Sequence, residues 1–426
     1  MNARWERWND PRVQLLGFAL AHVVIFACVF RALYIMPYSG TGLYYDYGSA
    51  LLAGKVPYRD YLVEYPPLAL AFFTLPRLVG ASFRWYYVAY QYQVVIFDLI
   101  ALATLYAARD RSEPPWRVLG AYTVAILAVG PIVFQQFDIF PAVFTLLAVY
   151  CYSRERDTGA WIFLALGVMT KVYPALIAPV FLILDWQRGR RVVHLARMAG
   201  AFTATCLLVA LPLLLIAPTS LVRLYAYHAH RGIQLESVFS SIALAIWRFT
   251  TTPMRCVLNF GSWNLAGPVP DRLAAISGPV LALLLLLAYA FIFVRTKSLD
   301  DGAIRRVRLV ATCSALVLFV GLVGSKVFSP QYLIWLVTLV PLAVAPRRMT
   351  VLTLFALVGV ATYYIYPRHY ADLRAFLDSG VAALDVRNTL LVTLTVIVAN
   401  ALRLATLPAA ADSPEPQLEV RSTVPA

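Results

Sequence analysis

The topology of this chain depends on one short apolar segment, PPLALAFFTLPRLVG at residues 66–80. Apolar runs on both sides of it are typical of membrane spans, and a span needs about 20 residues. The segment is shorter than that, opens with two prolines and carries Pro76 and Arg77 near its end. Proline suits the first turn of a helix and disturbs its interior. We therefore predict an amphipathic helix in the outer interface rather than a span.

Composition places the rest of the chain in a membrane. The 426 residues are 61% hydrophobic and only 14% charged, with a mean hydropathy of +0.71. Soluble globular proteins have less apolar and more charged sequence, so this class is excluded. The net charge of +14 comes mostly from cations that flank apolar runs. Such cations report topology, and no nucleic-acid partner is predicted.

The apolar runs predict an all-α integral membrane protein with about twelve transmembrane helices and an external first loop that carries interfacial helices. We place the spans near residues 13–36, 84–107, 118–134, 137–152, 160–171, 172–184, 198–217, 273–295, 309–324, 331–345, 349–366 and 388–406. These spans form one domain, 1–407. The tail 408–426 is rich in Ala, Pro, Ser and Glu, which predicts a disordered cytoplasmic segment.

Orientation follows from the short connections. Arginine-rich connections at 109–117, 188–197 and 295–308 all fall on the side of the N-terminus. Because positive residues concentrate on the cytoplasmic side, both termini are predicted to be cytoplasmic in a multi-pass cell-membrane protein. If residues 66–80 crossed the membrane, the charge bias of every later connection would invert. The external loops are then 37–83, 218–272 and 366–387.

Five polar clusters fall at the predicted outer face. They are YYDYGSALLAG at 44–54 with EYPPL at 64–68, QQFD at 135–138, TKVYP at 170–174, YHAHRGIQLES at 227–237, and GSKVFSPQY at 324–332. A random scatter of polar residues would not share one compartment. The clusters therefore predict one extracytoplasmic active site.

In their order along the chain, these clusters resemble the conserved blocks of glycosyltransferase family 87. That family consists of C-type membrane glycosyltransferases that use polyprenyl-phosphate sugars. The resemblance implies a mannosyltransferase with a polyprenyl-phosphate-mannose donor and a lipid-linked glycan acceptor. Arabinofuranosyl transfer remains open as an alternative, since no residue reads the sugar. The resemblance also puts Asp46 at the position of the family's general base.

The chemistry can be derived beside the resemblance. A lipid phosphate is already a good leaving group, so the reaction needs no general acid. It needs one carboxylate to take the proton of the acceptor hydroxyl and cations to hold the departing phosphate. This predicts a single displacement with inversion, with Asp46 as the base. The alternative for Asp46 is an acid in the first turn of an interfacial helix, stabilised there by the helix dipole.

Four residues are candidates to bind the donor phosphate. Lys171 and Lys326 lie at membrane-embedded helix ends, where an ammonium group is costly without an anionic partner. Snorkelling of these lysines to the headgroups is the alternative. His228 and Arg231 can complete the site, or lie exposed on a loop. The His228-x-His230 pair has no well-spaced third ligand, so neither a metal nor another cofactor is predicted.

The sugar or the acceptor has its own candidates. They are Glu64, Asp138, Gln331, Glu236 and Tyr45. For the acids, the alternative is capping or ion pairing with Arg59 or Arg231. For the tyrosine, it is membership of an interfacial aromatic belt.

Asp98 lies in the middle of the second predicted span, where an acid is a functional candidate by default. It keeps open a rival class, a transporter or lipid-sugar flippase with an acid in its coupling path. Against this class, the other ionisable groups cluster at one face, and paired broken helices in two matching halves are not evident. We expect Asp98 to hydrogen-bond a neighbouring helix. A structural subunit is a further alternative, but it leaves the five clusters unexplained.

Overall fold

The computed structural model describes residues 10–33, 40–218, 231–343 and 347–407. In its first half, the helices are α1 (Pro11–Phe30), α2 (Thr41–Leu52), α3 (Pro67–Val79), α4 (Phe83–Ala108), α5 (Pro115–Phe134), α6 (Ile139–Ser153), α7 (Asp157–Thr170), α8 (Tyr173–Gln187) and α9 (Val192–Ile216). In its second half they are α10 (Val238–Arg248), α11 (Pro268–Thr296), α12 (Asp301–Ile304), α13 (Val307–Gly324), α14 (Pro330–Leu342), α15 (Arg348–Arg368), α16 (Tyr370–Arg374) and α17 (Asp378–Ala405). The predicted all-α membrane architecture is confirmed.

Eight helices of the described segments are long and apolar enough to cross a membrane: α1, α4, α5, α9, α11, α13, α15 and α17. Each of the other four predicted spans also contains a helix, namely α6, α7, α8 and α14, but these are shorter. Helix length therefore supports eight spans and does not establish twelve. The chain is a multi-pass membrane protein.

The long helices differ in how far the protein itself covers them. In α13, 72% of the most apolar window is buried, so this helix runs through the centre of the bundle. In α9 the share is only 6%, and Leu208 and Leu215 are largely exposed. A helix that is apolar all round and uncovered by protein is stable only against lipid. The surface of α9 therefore faces the acyl chains.

The loop between α1 and α4, predicted to be external, contains two helices, as expected. The segment at 66–80 forms α3, which packs against α2. The crossing is close, because a Cβ added to Gly48 would lie 2.5 Å from the carbonyl oxygen of Phe73. The ring of Tyr44 stacks on that of Phe73 with a centroid distance of 4.3 Å. Glycine at 48 thus allows the two short helices to form one packed unit.

The apolar stretch 157–187 breaks at Lys171, as the sequence predicts. Helix α7 ends at Thr170, and Lys171 has extended backbone angles. Pro174 is the second residue of α8 and cannot continue the hydrogen bonding of the preceding helix. The break places the Lys171 side chain between two helix ends.

A small sheet in the second external loop was not predicted. Its strands are β1 (Ile233–Gln234), β2 (Arg255–Asn259) and β3 (Ser262–Ala266), in the order β1-β3-β2 and all antiparallel. The turn between β2 and β3 consists of Phe260 and Gly261, both with positive φ. That geometry suits the right-handed twist of a hairpin. A phenylalanine in this conformation is uncommon, which is why the turn escapes sequence inspection.

The second and third loops pack on each other. A separate apolar cluster joins Leu235, Leu244 and Leu265 of the second loop to Leu373 of the third and Leu384 of α17. The two loops therefore lie at the same end of the bundle, as the predicted topology requires. The predicted tail at 408–426 lies outside the described residues.

Candidate active site

The helix α2 is fastened to the turn before α6. The Thr41 hydroxyl donates a hydrogen bond of 3.2 Å to the carbonyl oxygen of Gln135. The Tyr44 hydroxyl donates one of 2.6 Å to Oε1 of Gln136. Both tyrosine and glutamine are buried at these positions. The first two polar clusters of the sequence are thus joined directly.

Asp46 lies on the other side of α2. Its carboxylate is exposed, and it makes neither a hydrogen bond nor an ion pair with any residue of the described segments. Its surroundings include Tyr86, with which it interacts electrostatically. On the same side, the Tyr45 hydroxyl donates to the carbonyl of Ala81, and the Arg77 guanidinium lies 4.9 Å from the centre of the Tyr45 ring. The carboxylate of Asp46 is therefore exposed and not engaged by the described residues.

The centre of the site is an ion pair between Lys171 and Asp138. The Lys171 Nζ lies 2.5 Å from Oδ1 of Asp138, and the two side chains are 13% and 0% exposed. Trp335 donates a hydrogen bond of 2.6 Å from Nε1 to the same oxygen. The other oxygen, Oδ2, is buried and has no hydrogen-bond partner among the described residues. A buried carboxylate oxygen without a partner is a candidate to accept a hydrogen bond from a bound ligand.

Aromatic rings enclose the ammonium group of Lys171. The distances from Nζ to the ring centres are 4.7 Å for Phe137, 5.1 Å for Tyr332, 5.5 Å for Trp335 and 5.9 Å for Tyr65. Trp335 is itself stacked between Tyr173 and Tyr332, with both centroid distances at 4.1 Å. Such contacts stabilise a desolvated cation by about 1 kcal/mol or more. We call Lys171, Asp138 and these five rings the aromatic box.

Two more cations lie beside the box. Arg231 is 8% exposed and acts electrostatically on both Lys171 and Lys326. Its Nη2 donates a hydrogen bond of 2.7 Å to Ser262, and its buried Nε has no partner in the described part of the chain. Burial and the nearby Arg231 lower the pKa of Lys326. Like charges repel, so Arg231 and Lys326 close to each other, beside a Lys171 that is already paired with Asp138, favour an anionic ligand.

The remaining predicted residues fall into two groups. Glu64 is half-buried and interacts electrostatically with Lys171, so it borders the aromatic box. Gln331 is half-buried and adjoins Tyr332, a ring of the box. His228 lies outside the described residues, so its role stays a prediction. The described segments contain no group of three or more His, Cys, Asp or Glu residues that could hold a metal ion.

Glu236 lies apart from the box, under the packed loops. Its backbone carbonyl accepts a hydrogen bond from Nη2 of Arg387, and its carboxylate accepts one of 3.3 Å from the Tyr370 hydroxyl. Burial raises the pKa of this carboxyl to about 7, although Arg387 opposes the shift. The neighbouring Gln234 bonds Ser329 and, through its backbone, the carbonyl of Lys326. Gln234 and Glu236 together thus link the last helix to the segment that carries Lys326.

Asp98 is bonded to two neighbouring helices, as predicted. Its Oδ1 accepts a hydrogen bond of 2.8 Å from the Tyr122 hydroxyl on α5. Its Oδ2 lies 2.8 Å from Nδ1 of His22 on α1. His22 in turn contacts Thr123 through Nε2 at 2.9 Å. Both oxygens of the carboxylate are therefore engaged within the protein.

The sequence clusters at 135–138, 170–174 and 324–332 thus meet around one ion pair. A family profile, that of glycosyltransferase family 87, matches residues 61–323, more than half of the chain. The chain belongs to glycosyltransferase family 87. It is therefore a membrane glycosyltransferase. The matched range includes Glu64, Asp138 and Lys171, whereas Asp46 and Lys326 lie just outside it.

Other comparisons of this glycosyltransferase are weaker. Two crystal structures of ArnT from Cupriavidus metallidurans, one bound to undecaprenyl phosphate and one in the apo state, have TM-scores of 0.47 and 0.48 and sequence identities of 14% and 15%. They cover 92% of this chain in both cases, and 78% and 77% of their own chains. A likeness at this level says nothing about the substrate. A comparison with curated proteins finds no match.

Sequence reasoning missed Trp335, Tyr173 and Arg387 as members of these networks. Trp335 follows the fifth cluster by three residues, and Tyr173 lies within the third. The signal was present in both positions, because aromatic residues beside an embedded lysine are natural partners of its charge. Arg387 is distant in sequence from everything it contacts, so no local signal pointed to it.

Proposed function

We propose that this family 87 protein transfers a sugar from a polyprenyl-phosphate donor to a lipid-linked glycan acceptor at the extracytoplasmic face. The observation that carries the proposal is the nearly buried Arg231, whose Nε has no hydrogen-bond partner among the described residues and which acts electrostatically on Lys171 and Lys326. Around them, three cations face two acids, Asp138 and Glu64. The surplus positive charge fits the phosphate of a lipid donor.

The ion pair between Lys171 and Asp138 gives the three cations different roles. Asp138 neutralises Lys171, so we assign the direct hold on the phosphate to Arg231 and Lys326, with His228 as a further candidate. Lys171 and the surrounding rings form the wall against which the donor lies. Oδ2 of Asp138, which has no partner among the described residues, is the proposed hydroxyl acceptor, and Glu64 and Gln331 are further proposed contacts to the sugar or the acceptor. We assign Tyr45 and Glu236 a smaller role in substrate binding, because the side chain of each already forms a hydrogen bond within the protein.

The proposed reaction is a single displacement with inversion. The acceptor oxygen attacks the anomeric carbon, and the bond from that carbon to the phosphate oxygen breaks. The lipid phosphate leaves with the electron pair and is stabilised by the cations. We assign the acceptor proton to the carboxylate of Asp46, which is exposed and makes no hydrogen bond or ion pair with the described residues. This role requires the bound sugar to extend from the aromatic box past α2 to the face that carries Asp46.

Family membership favours mannose as the sugar, and arabinofuranose is the alternative. Transfer by purified protein in proteoliposomes distinguishes them, with radiolabelled polyprenyl-phosphate-mannose or polyprenyl-phosphate-arabinofuranose and a glycolipid acceptor. Transfer from the mannose donor supports the proposal. Transfer from the arabinofuranose donor alone changes the sugar and leaves the mechanism intact.

The role of Asp46 is tested by Asp46→Asn, with Glu64→Gln as the matched control. Removal of a general base lowers the rate about 10²- to 10⁴-fold, so Asp46→Asn should abolish most transfer. Glu64→Gln should mainly raise KM. Substantial transfer by Asp46→Asn would exclude this residue as the base, and a collapse in Glu64→Gln instead would move the role to Glu64.

The rival transporter class predicts movement of a lipid-linked sugar without transfer. The engagement of both oxygens of Asp98 with Tyr122 and His22 argues against a free acid in a coupling path. Flipping of a fluorescent polyprenyl-phosphate sugar without formation of product would favour the rival. Sidedness is tested by labelling of Lys55→Cys, an exposed position in the first loop. Labelling only from the cytoplasm would overturn the proposed orientation.

A further inference from the structure

A second polar site lies at the opposite end of the bundle. A cavity of about 630 Å³ is lined by Arg109, Arg111, Gln14, Trp116 and the prolines that begin α1 and α5. Helix α4 separates it from the candidate active site, because Phe83 at its first turn contacts Tyr45, whereas Arg109 follows its last residue. The 26 residues of α4 span about 39 Å. The cavity is therefore independent of the proposed transfer reaction.

The cavity wall carries excess positive charge. The acid in the wall, Glu113, already forms ion pairs with Arg308 and Arg348. Asp110, just outside the lining, accepts hydrogen bonds from the backbone and the side chain of Ser112. The charges of Arg109 and Arg111 are not paired with either acid. An anion that entered the cavity would meet these two guanidinium groups first.

The guanidinium of Arg109 is fixed by two contacts, and its Nε remains without an acceptor among the described residues. Its Nη1 donates to the carbonyl of Tyr106, and the guanidinium lies 3.9 Å from the centre of the Tyr106 ring. Its buried Nε has no hydrogen-bond partner within the described ranges. Arg111 is exposed and makes no bond to another described residue. Guanidinium groups with free N–H donors match the geometry of phosphate oxygens.

The surroundings of the cavity are those of a membrane interface. Trp116 is half exposed, and Arg117 lies 5.6 Å from the centre of its ring. Tryptophan is enriched at the level of the headgroups. Helix α1, which contributes Pro11 and Gln14 to the wall, continues with the exposed side chains of Leu16 and Leu20. A cavity lined by two arginines thus adjoins an apolar flank.

We propose that this cavity binds the phosphate headgroup of an anionic phospholipid, with Arg109 and Arg111 on the phosphate and the acyl chains along α1. Basic pockets between transmembrane helices are suited to such headgroups, and each nearby cation adds to the affinity. Free phosphate offers the same charge without the apolar part. The exposed leucines beside the cavity favour the lipid.

Native mass spectrometry of the purified full-length protein tests the proposal, with dioleoyl phosphatidylglycerol and dioleoyl phosphatidylcholine as the lipids. The native chain should retain the anionic lipid in preference to the zwitterionic one. Arg109→Gln/Arg111→Gln should weaken retention on the order of tenfold. The matched control Arg84→Gln/Arg272→Gln removes the same charge at exposed positions outside the cavity and should leave retention unchanged.

Equal retention by the two double variants, or equal retention of the two lipids, would overturn the proposal. Loss of the lipid in millimolar inorganic phosphate would identify a free-phosphate site instead and would overturn it as well. If the double variant fails to fold, Arg111→Gln alone is the substitute, because its exposed side chain holds no other described residue. That variant should still lose several-fold in retention, and unchanged retention would refute the site.

Discussion

The buried ion pair between Lys171 and Asp138 gives the sharpest prediction on stability. Asp138→Asn keeps an acceptor for Trp335 but leaves the ammonium of Lys171 without its counter-charge. At 2.5 Å, the Coulomb attraction is on the order of 6 kcal/mol for an effective dielectric constant of 20, before desolvation is subtracted. Removal of one partner of a buried pair typically costs 3–5 kcal/mol. We expect about that loss, since the carboxylate is 0% exposed.

The reciprocal change distinguishes an ion pair from a packing effect. Lys171→Met leaves Asp138 with the hydrogen bond from Trp335 and should also destabilise the fold. The double variant Asp138→Asn/Lys171→Met removes both charges, so its cost should be well below the sum of the single costs. We also expect all three variants to transfer sugar more slowly, because each disturbs the wall of the proposed donor site.

The assay is thermal or denaturant unfolding of the purified protein in one detergent, read as the free energy of unfolding for the native chain and the three variants. A coupling of about 2 kcal/mol or more in the double-mutant cycle supports the pair. Single costs below about 1 kcal/mol, or additive costs, would refute the reasoning. In that case, the pair would be no stronger than one exposed to water.

Three further predictions concern other parts of the fold. The Glu236 carboxyl binds a proton more tightly in the folded protein, so the free energy of unfolding should fall by about 3 kcal/mol as pH rises from 4.5 to 7. Glu236→Gln should remove most of this pH dependence. An unchanged pH dependence in the variant would assign it to another group. Gly48→Ala should destabilise by about 1–3 kcal/mol through its clash with α3, whereas Gly200→Ala, with open space around it, should be neutral or slightly stabilising in the same unfolding assay. Equal effects of these two changes would contradict the close crossing. Asp98→Ala leaves the buried hydroxyl of Tyr122 without its hydrogen-bond acceptor, so it should lower the free energy of unfolding by about 2–4 kcal/mol and the unfolding temperature with it. An unchanged unfolding temperature would show that this carboxylate does not stabilise the packing of α4 on its neighbours.

Local signals explain the correct sequence predictions. Apolar runs produced the long helices, and the prolines at 66 and 67 marked the start of α3. The break at Lys171 was predicted because Pro174 follows so closely. Each of these depends on neighbours along the chain. Propensity and hydropathy act at that range, so the architecture was accessible without coordinates.

The predicted partners of the acids show the limit of such signals. Ion pairing with Arg59 or Arg231 was the alternative for Glu64, Asp138 and Glu236, but Arg59 pairs with Asp60, its neighbour in the chain. Asp138 pairs with Lys171 instead, 33 residues away. Proximity in sequence identifies an exposed pair but cannot choose among distant partners in a folded bundle.

The Asp46 segment shows the same division. The amino-acid sequence by itself determined that the chain is a multi-pass membrane protein and that it belongs to a glycosyltransferase family. Only the tertiary structure decided that Asp138 neutralises Lys171, that Trp335 completes their enclosure and that Asp46 lies exposed on the other side of α2. The physical reason is that membrane insertion depends on the summed hydropathy of local segments, whereas burial and pairing of charges depend on which segments meet in space.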